Sequence, residues 1–485
     1  MKTQKYTLLK IVATLLFLLA TMLFITSQWM GEVFGPVSFE QILFHIMAPA
    51  EGANKHLVWE YLLSVSLGLL ATAMYAFLLF KLFRQRKGPA IVCVLLAIPY
   101  LAASLFFVER NHGLFAFFLR PESKVIENNY VYVYPEGVSF GPERHNLILV
   151  LLESMEETFN NKAVFGKQLM PDLAKLRSKN TSFYGFDHFL GTSWTVAGIT
   201  SYFFGIPLKL PIDGNSYDNK AFSAFLPGAP TILEVLEKNS YKIDIFLGSR
   251  ATFSGKDNLF KTHTQNTTIH DLHYFNANHK DIKEADRIDW GLRDAYTYAR
   301  AKEFLAATYN RPFEGNFMVI VETVDSHSPN DYYIAPGRPQ VYGDYRDAIV
   351  ETNRMAADFV AWARRQPFAR NTTIILMGDH DVMATELGDV ELPKYSEREI
   401  YNVFINPVPS LGLNMQQRKF GSFDMAPTIL ESLGVELPDG RFGIGVSLFR
   451  ESPPTLYEIM GFDKLYEELE KPSSFYDKFY RPRLK

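Results

Sequence analysis

Three apolar segments near the start of the chain, residues 8–26, 58–83 and 90–108, constrain the fold more than any other feature. Each is close to the roughly 20 residues a helix needs to cross the hydrocarbon of a bilayer, so residues 1–108 are expected to form a transmembrane anchor. Lys2 and Lys5 precede the first segment and Lys10 lies near its start, as basic residues would in a secretory signal. Thr26-Ser27-Gln28, however, offers no small-residue cleavage pattern, and two further spans follow, so the segment reads as an anchor. Lys81, Arg84, Arg86 and Lys87 crowd the turn between the second and third spans; the positive-inside rule assigns that turn and the lysine-bearing N-terminus to the cytoplasm. Three crossings then put everything after Val108 outside. Between the first two spans, residues 37–47 have helical apolar spacing and read either as a helix along the outer membrane face or as an ordinary packed loop helix.

With 485 residues, 47% hydrophobic and 14% aromatic, the chain has material for a large core beside the anchor. Residues 109–143 carry Pro121, Pro135, Gly137, Gly141 and Pro142 among polar residues and read as a linker at the membrane surface. From residue 144 to 450 strands and helices alternate. The runs 146–152 and 372–378 are continuously apolar, as buried parallel strands are. Residues 241–248 and 317–322 look like further strands, and 296–308 and 347–364 like covering helices, which makes a doubly wound α/β domain the expected fold class. Residues 451–485 form a charged, aromatic C-terminal extension in which no chemistry is evident.

The single cysteine, Cys93, lies inside the third span, so the exported part cannot form an internal disulfide. A net charge of −4 shows no basic excess, and there is no nucleic-acid module, which excludes nucleic acid as a partner.

The chemistry concentrates where the apolar runs end. In open α/β sheets, ligands bind beyond the carboxyl ends of the strands, and Glu153 ends one run while Asp379-His380 ends another. Two carboxylates and an imidazole form a hard ligand set suited to a metal that must also bind phosphate oxygens. Thr195, in Gly191-Thr192-Ser193-Trp194-Thr195, precedes Val196-Ala197-Gly198-Ile199, a run able to start a helix. A threonine hydroxyl is a poor nucleophile unless a metal activates it, and a helix N-terminus favours a phosphoryl group beside it. Thr195 thus reads as a metal-held nucleophile or as a helix cap, with Thr192 and Ser193 as rival nucleophiles. His327, in Asp325-Ser326-His327-Ser328-Pro329, follows another strand and suits protonation of a leaving oxygen or phosphate binding. Arg250 and Lys256 offer cations for a phosphate or glycerol-bearing head group. Trp290 and Arg293, in Asp289-Trp290-Gly291-Leu292-Arg293-Asp294, offer a stacking face and polar contacts for a sugar or polyol. Both segments read equally as structural loops.

These residues resemble the alkaline phosphatase and sulfatase superfamily, in its membrane-anchored branch of bacterial lipoteichoic acid synthases and periplasmic-glucan phosphoglycerol transferases. The resemblance runs from Leu152-Glu153-Ser154 to Gly378-Asp379-His380 and includes Gly191 to Gly198 with Gly205-Ile206-Pro207, and Phe253-Ser254-Gly255-Lys256 with His263. It implies one Mn2+ or Zn2+ held by Glu153, Thr195, Asp379 and His380, and a phosphate-side histidine at His327. Measured back from Gly205-Ile206-Pro207, Thr192 could match the synthase threonine, but the offset from Gly191 and the small residues that follow favour Thr195. The implied reaction moves phosphoglycerol from a phospholipid, phosphatidylglycerol first, through a threonine intermediate to a glycan or polyol acceptor on the outer side of a bacterial cytoplasmic membrane. Sulfatases need a Cys/Ser-x-Pro-x-Arg box, which does not occur here. Phosphoethanolamine transferases resemble the threonine region but carry flanking cysteines paired as disulfides, which are missing here. Phosphoethanolamine transfer or phosphodiester hydrolysis on the same fold is the alternative activity. A non-catalytic, membrane-tethered glycan-binding protein is the alternative of another class.

Overall fold

In the computed structural model, residues 2–35, 37–48, 54–82, 88–211, 224–311, 313–327, 344–409 and 417–483 are described. Arg84, Arg86 and Lys87 of the basic turn, and Ser328 and Pro329 of the histidine loop, lie outside these residues. Contacts divide the chain into two compact units, Met1–Ile42 with Ala53–Arg120, and Leu43–Gly52 with Pro121–Lys485.

The first unit is built on α1 (Lys2–Phe34), α3 (Lys55–Leu82) and α4 (Gly88–His112); α2 (Phe39–Met47), between the first two in the chain, is divided between the units after Ile42. Leu8–Phe34, Lys55–Leu78 and Ile91–His112 are long and apolar enough to cross a membrane. The first and third run further than the apolar pattern alone suggests, because polar residues at their ends find partners inside the unit. Ser27 Oγ lies 2.8 Å from His112 Nε2, and Trp29 Nε1 donates to Glu60 at 3.2 Å. A helix end satisfied in this way need not stop where hydrophobicity does.

The second unit is organised by a six-stranded sheet. Its strands are β1 (Asn146–Leu152), β2 (Tyr241–Leu247), β3 (Thr268–His270), β4 (Asn316–Glu322), β5 (Thr372–Gly378) and β6 (Asn402–Ile405), in the order β6-β5-β1-β4-β2-β3. All neighbours are parallel except β6, which runs antiparallel to β5. The alternation of side chains along a strand assigns Leu147, Leu149 and Leu151 to one core and Ile148, Val150 and Leu152 to the other. Helices cover both faces: α5 (Thr195–Phe204), α6 (Ile232–Lys238) and α9 (Met425–Ser432) belong to the first core, and α7 (Asp294–Tyr309) and α8 (Tyr345–Ala363) to the second. Burial on both faces is why β1 and β5 read as unbroken apolar runs rather than alternating ones.

Register decides what meets at the carboxyl edge. Leu152 pairs with Gly378, Leu151 with Glu322 and Leu247 with Glu322, so β1, β2, β4 and β5 all end at one level.

The segment expected as a linker carries short helices at Leu114–Leu119 and Val125–Asn129. Val125, Ile126 and Val133 lie in the first core, and Ser139–Phe140 pairs with Val435–Glu436. The C-terminal extension is also core: Leu465, Leu469, Tyr476 and Phe479 are buried, and the Tyr476 hydroxyl donates to the Pro207 carbonyl at 2.9 Å. Its charged composition hid this, because its apolar residues are spaced for one helix face rather than gathered in a run. Tyr476→Ala should therefore lower unfolding free energy by about 3–5 kcal/mol, read from denaturant unfolding of the full chain in detergent. A loss below about 1 kcal/mol would mean that the extension is only draped on the surface.

Candidate metal centre

Glu153 and Asp379 leave the ends of the neighbouring strands β1 and β5, and the connection between them is made by backbone. The Asp379 carboxylate oxygen Oδ1 accepts the N–H of Ser154 at 2.8 Å and of His380 at 2.9 Å. Ser154 sits in the left-handed region, at φ 54°, a conformation that costs a non-glycine residue energy unless its surroundings hold it. Here its N–H is bound to Asp379 and its hydroxyl donates to Glu153 Oε1 at 2.6 Å. Glu153 is fixed further by its N–H to Thr323 Oγ1 (2.9 Å) and by its carbonyl, which accepts from Ser326 Oγ (2.7 Å).

The three side chains converge. His380 Nε2 is 3.6 Å from Glu153 Oε1 and 3.5 Å from Asp379 Oδ2, and one ligand atom from each residue lies within 4.8 Å of the others. His380 Nδ1 is 2.6 Å from the Asp381 carbonyl. A carbonyl can only accept, so Nδ1 carries the proton and Nε2 presents its lone pair to the centre. Asp379 Oδ2 is buried and has no hydrogen-bond partner. A buried, unpartnered carboxylate oxygen facing an imidazole lone pair and a second carboxylate is unfavourable as it stands and fits a divalent cation, which would be held by Glu153, Asp379, His380 and Thr195.

Thr195 completes the group. Its hydroxyl is 3.5 Å from Glu153 Oε2 and 3.5 Å from His380 Nε2. It is the first residue of α5; Trp194, with an extended backbone, occupies the cap position, so the threonine hydroxyl is not used as a cap. Thr192 differs from it. Thr192 is fully buried, and its hydroxyl donates to the Phe189 carbonyl at 2.7 Å and accepts the Phe189 N–H at 3.0 Å. That ties the loop to itself. The first turn of α5 lies directly on the Asp379–His380 loop: a Cβ at Gly198 would stand 2.0 Å from the Asp379 carbonyl, so only glycine allows this approach.

The other expected residues sit in local settings of their own. His327 follows β4, and its ring packs on Trp290 with centroids 4.1 Å apart at 34°. The stacking face foreseen for a sugar at Trp290 is thus shared with an imidazole. Lys256 is buried, and its ammonium donates to Glu322 Oε1 and to Ser249 Oγ at 3.2 Å. Arg293 Nε donates to the Ala285 carbonyl at 2.9 Å, holding its own loop. Arg250 lies at the start of the turn after β2, its carbonyl accepting from Phe253 N at 3.3 Å. His263 lies deeper, with Nε2 2.7 Å from the Phe225 carbonyl.

Several residues escaped the sequence reading. Glu322 is the last residue of β4, one step short of the place Glu153 takes after β1, a signal that was available. Asp294 accepts the N–H groups of Val324 (2.7 Å) and Asp325 (3.2 Å) and so shapes the His327 loop; nothing in its helical setting announces it. His188 and Asp381 form an ion pair at 3.0 Å.

A family model for sulfatases matches residues 145–435. The chain belongs to the sulfatase family. Among curated proteins, this family member is 26% identical over 426 residues to phosphoglycerol transferase I of Xanthomonas campestris pv. campestris strain B100, covering 85% of this chain and 58% of the relative. It is 24% identical over 428 residues to phosphoglycerol transferase I of Salmonella typhimurium, covering 84% and 52%. The chain thus spans little more than half the length of these relatives. Among solved structures, lipoteichoic acid synthase LtaP from Listeria monocytogenes shares the fold at TM-score 0.51 and 19% identity, over 68% of this chain and 82% of LtaP. Phosphoethanolamine transferase EptA from Neisseria meningitidis shares it at TM-score 0.54 and 13% identity, over 90% and 87%.

Burial governs the charges of this sulfatase-family centre. It pushes the Asp379 carboxyl up to about 6, the facing Glu153 adding to the rise against the pull of His380. Burial raises Glu153 as well, opposed by His380. For His380 burial works downward, but Asp379 and Glu153 outweigh it and hold the imidazole above its ordinary value. The metal-free folded state therefore binds extra protons between the ordinary 3.8 of Asp379 and about 6 and loses stability as pH rises through that window. A bound cation needs the deprotonated ligands and removes this penalty. Chelation should accordingly lower the Tm more at about pH 7.5 than at about pH 5, as measured by differential scanning fluorimetry. An equal drop at both pH values would separate the stabilising ion from Asp379.

Proposed function

We propose that this protein transfers phosphoglycerol from phosphatidylglycerol to a glycan or polyol outside the cytoplasmic membrane, through a covalent intermediate on Thr195. The observation that carries the reading is the position of the Thr195 hydroxyl, 3.5 Å from both Glu153 Oε2 and His380 Nε2 at the start of a helix. The names of the curated relatives, phosphoglycerol transferase I, support the transferred group. A bound Mn2+ or Zn2+ would supply the charge that lowers the pKa of the hydroxyl and neutralises the phosphate oxygens.

In the first displacement Thr195 Oγ1, its proton released to solvent, attacks phosphorus as the bond to the diacylglycerol oxygen breaks. His327 gives that oxygen a proton. In the second, His327 takes the proton of the acceptor hydroxyl, whose oxygen attacks the phosphothreonine, and Thr195 Oγ1 leaves and is reprotonated. Arg250 and Lys256, on the segment after β2, support the transferring phosphoryl group, and Trp290 and Arg293 the glycerol or acceptor. The basic residues between the second and third spans support an orientation with the catalytic unit outside. An anchor that keeps the site at the head groups raises the effective concentration of donor.

Proteoliposomes carrying head-group-labelled phosphatidylglycerol or phosphatidylethanolamine should release diacylglycerol from the first only, and mass spectrometry should find a phosphoglycerol adduct on the Thr195 peptide. Thr195→Ala should reduce turnover more than about a thousandfold while metal content stays stoichiometric. Release from phosphatidylethanolamine alone would make the protein a phosphoethanolamine transferase. Transfer unchanged in Thr195→Ala would remove the threonine from the mechanism, and the absence of both metal and turnover would favour a glycan-binding role.

A further inference from the structure

His188 is not among the groups that hold the metal or the substrate in the reading above, yet it lies on the loop that leads to the nucleophile, seven residues before Thr195. Its Nδ1 is 3.0 Å from Asp381 Oδ2, with the histidine side chain 12% exposed and the aspartate 1%. Among the described residues the Asp381 carboxylate has no other ion pair. The backbone of Asp381 accepts from His380 Nδ1 at 2.6 Å and so sets the direction of the Nε2 lone pair.

The residues that follow are also held. Val382 N donates to Glu156 Oε2 at 3.0 Å, and the Val382 carbonyl accepts from Arg398 Nη1 at 2.8 Å. Arg398 also donates to the Ala384 carbonyl at 3.2 Å. The Tyr395 ring meets the His188 imidazole edge-on at 5.1 Å. The two loops that must agree in position, one carrying Thr195 and the other His380, therefore also meet at the buried His188–Asp381 contact. The Asp381–Val382 peptide, whose carbonyl aims His380, is held at its N–H by Glu156, and the side chain of Asp381 is met by His188.

We infer that His188 is a positioning residue for the metal centre: by pairing with Asp381 it locks the peptide that orients His380, and it sets the nucleophile loop against the metal loop. This rests on the metal-centre reading above. Partners of this kind, one step removed from the ligands, typically change metal affinity 10–100-fold when lost.

The test uses the full chain in detergent, with Zn2+ and Mn2+ affinities measured by competition against a chromogenic chelator, and the unfolding midpoint of the metal-free protein recorded for each variant. His188→Ala should weaken metal binding about 10–100-fold. His188→Asn, whose amide N–H can reach Asp381, should recover most of that loss, as a merely space-filling role would not. Asp381→Asn keeps the shape of the site and should weaken binding in the same direction, which covers the case of a poorly folded His188→Ala. Parent-like affinity in both His188→Ala and Asp381→Asn would overturn the inference while leaving the metal centre standing. A parent protein that binds neither metal would overturn both.

Discussion

The Asp379 carboxylate, accepting the N–H groups of both Ser154 and His380, is the interaction on which the candidate centre depends. The two donors belong to the ends of different strands, and Ser154 and Asp379 are 225 positions apart in sequence. Parallel register brings those ends level, but register alone leaves loops free to splay. One oxygen of Asp379 closes that freedom, and its other oxygen is left without a hydrogen-bond partner. The same side chain thus serves as a brace and faces the site with unsatisfied charge.

That charge belongs to a wider acidic field. Burial raises the Glu322 carboxyl, opposed by Lys256, and burial raises Asp294 strongly, with Asp325 adding to it. Concentrating carboxylates behind a sheet edge is unfavourable by itself, since each must lose water and repel its neighbours. Lys256 answers part of it from within. A divalent cation in front would answer more, which ties the folding energetics of the edge to its chemistry.

Much of this was legible in the sequence because of where hydrophobicity stops. Strands β1 and β5 are buried on both faces, so their runs end abruptly, and Glu153 and Asp379 stand at the break. Thr195 was legible through the small residues after it, which permit the approach that Gly198 makes to the Asp379 carbonyl. His188 and Asp381 were not, because a pairing across two loops leaves no periodicity in either. Strand β6 was missed as well: it is short and antiparallel at the sheet edge, so it lacks the long run that marks the central strands. The burial of residues 125–133 and 465–479 was hidden by polar neighbours, and only tertiary packing shows which of their side chains turn inward.

Trp194, the residue that begins the turn into α5, is covered by Phe44, with ring centroids 6.0 Å apart, and flanked by His45 at 6.1 Å. Phe44 and His45 precede the second membrane-length helix in the chain, whereas Trp194 adjoins Thr195. The sulfatase-family fold is therefore not contiguous in sequence: part of the wall beside the Thr195 hydroxyl is encoded ahead of two of the chain's three apolar helices. Cutting the protein after its last apolar helix would preserve every strand of the sheet and still strip an indole next to Thr195 of its cover. For this chain the boundary between the two compact units is a matter of packing, and it cannot be drawn as a single point along the polypeptide.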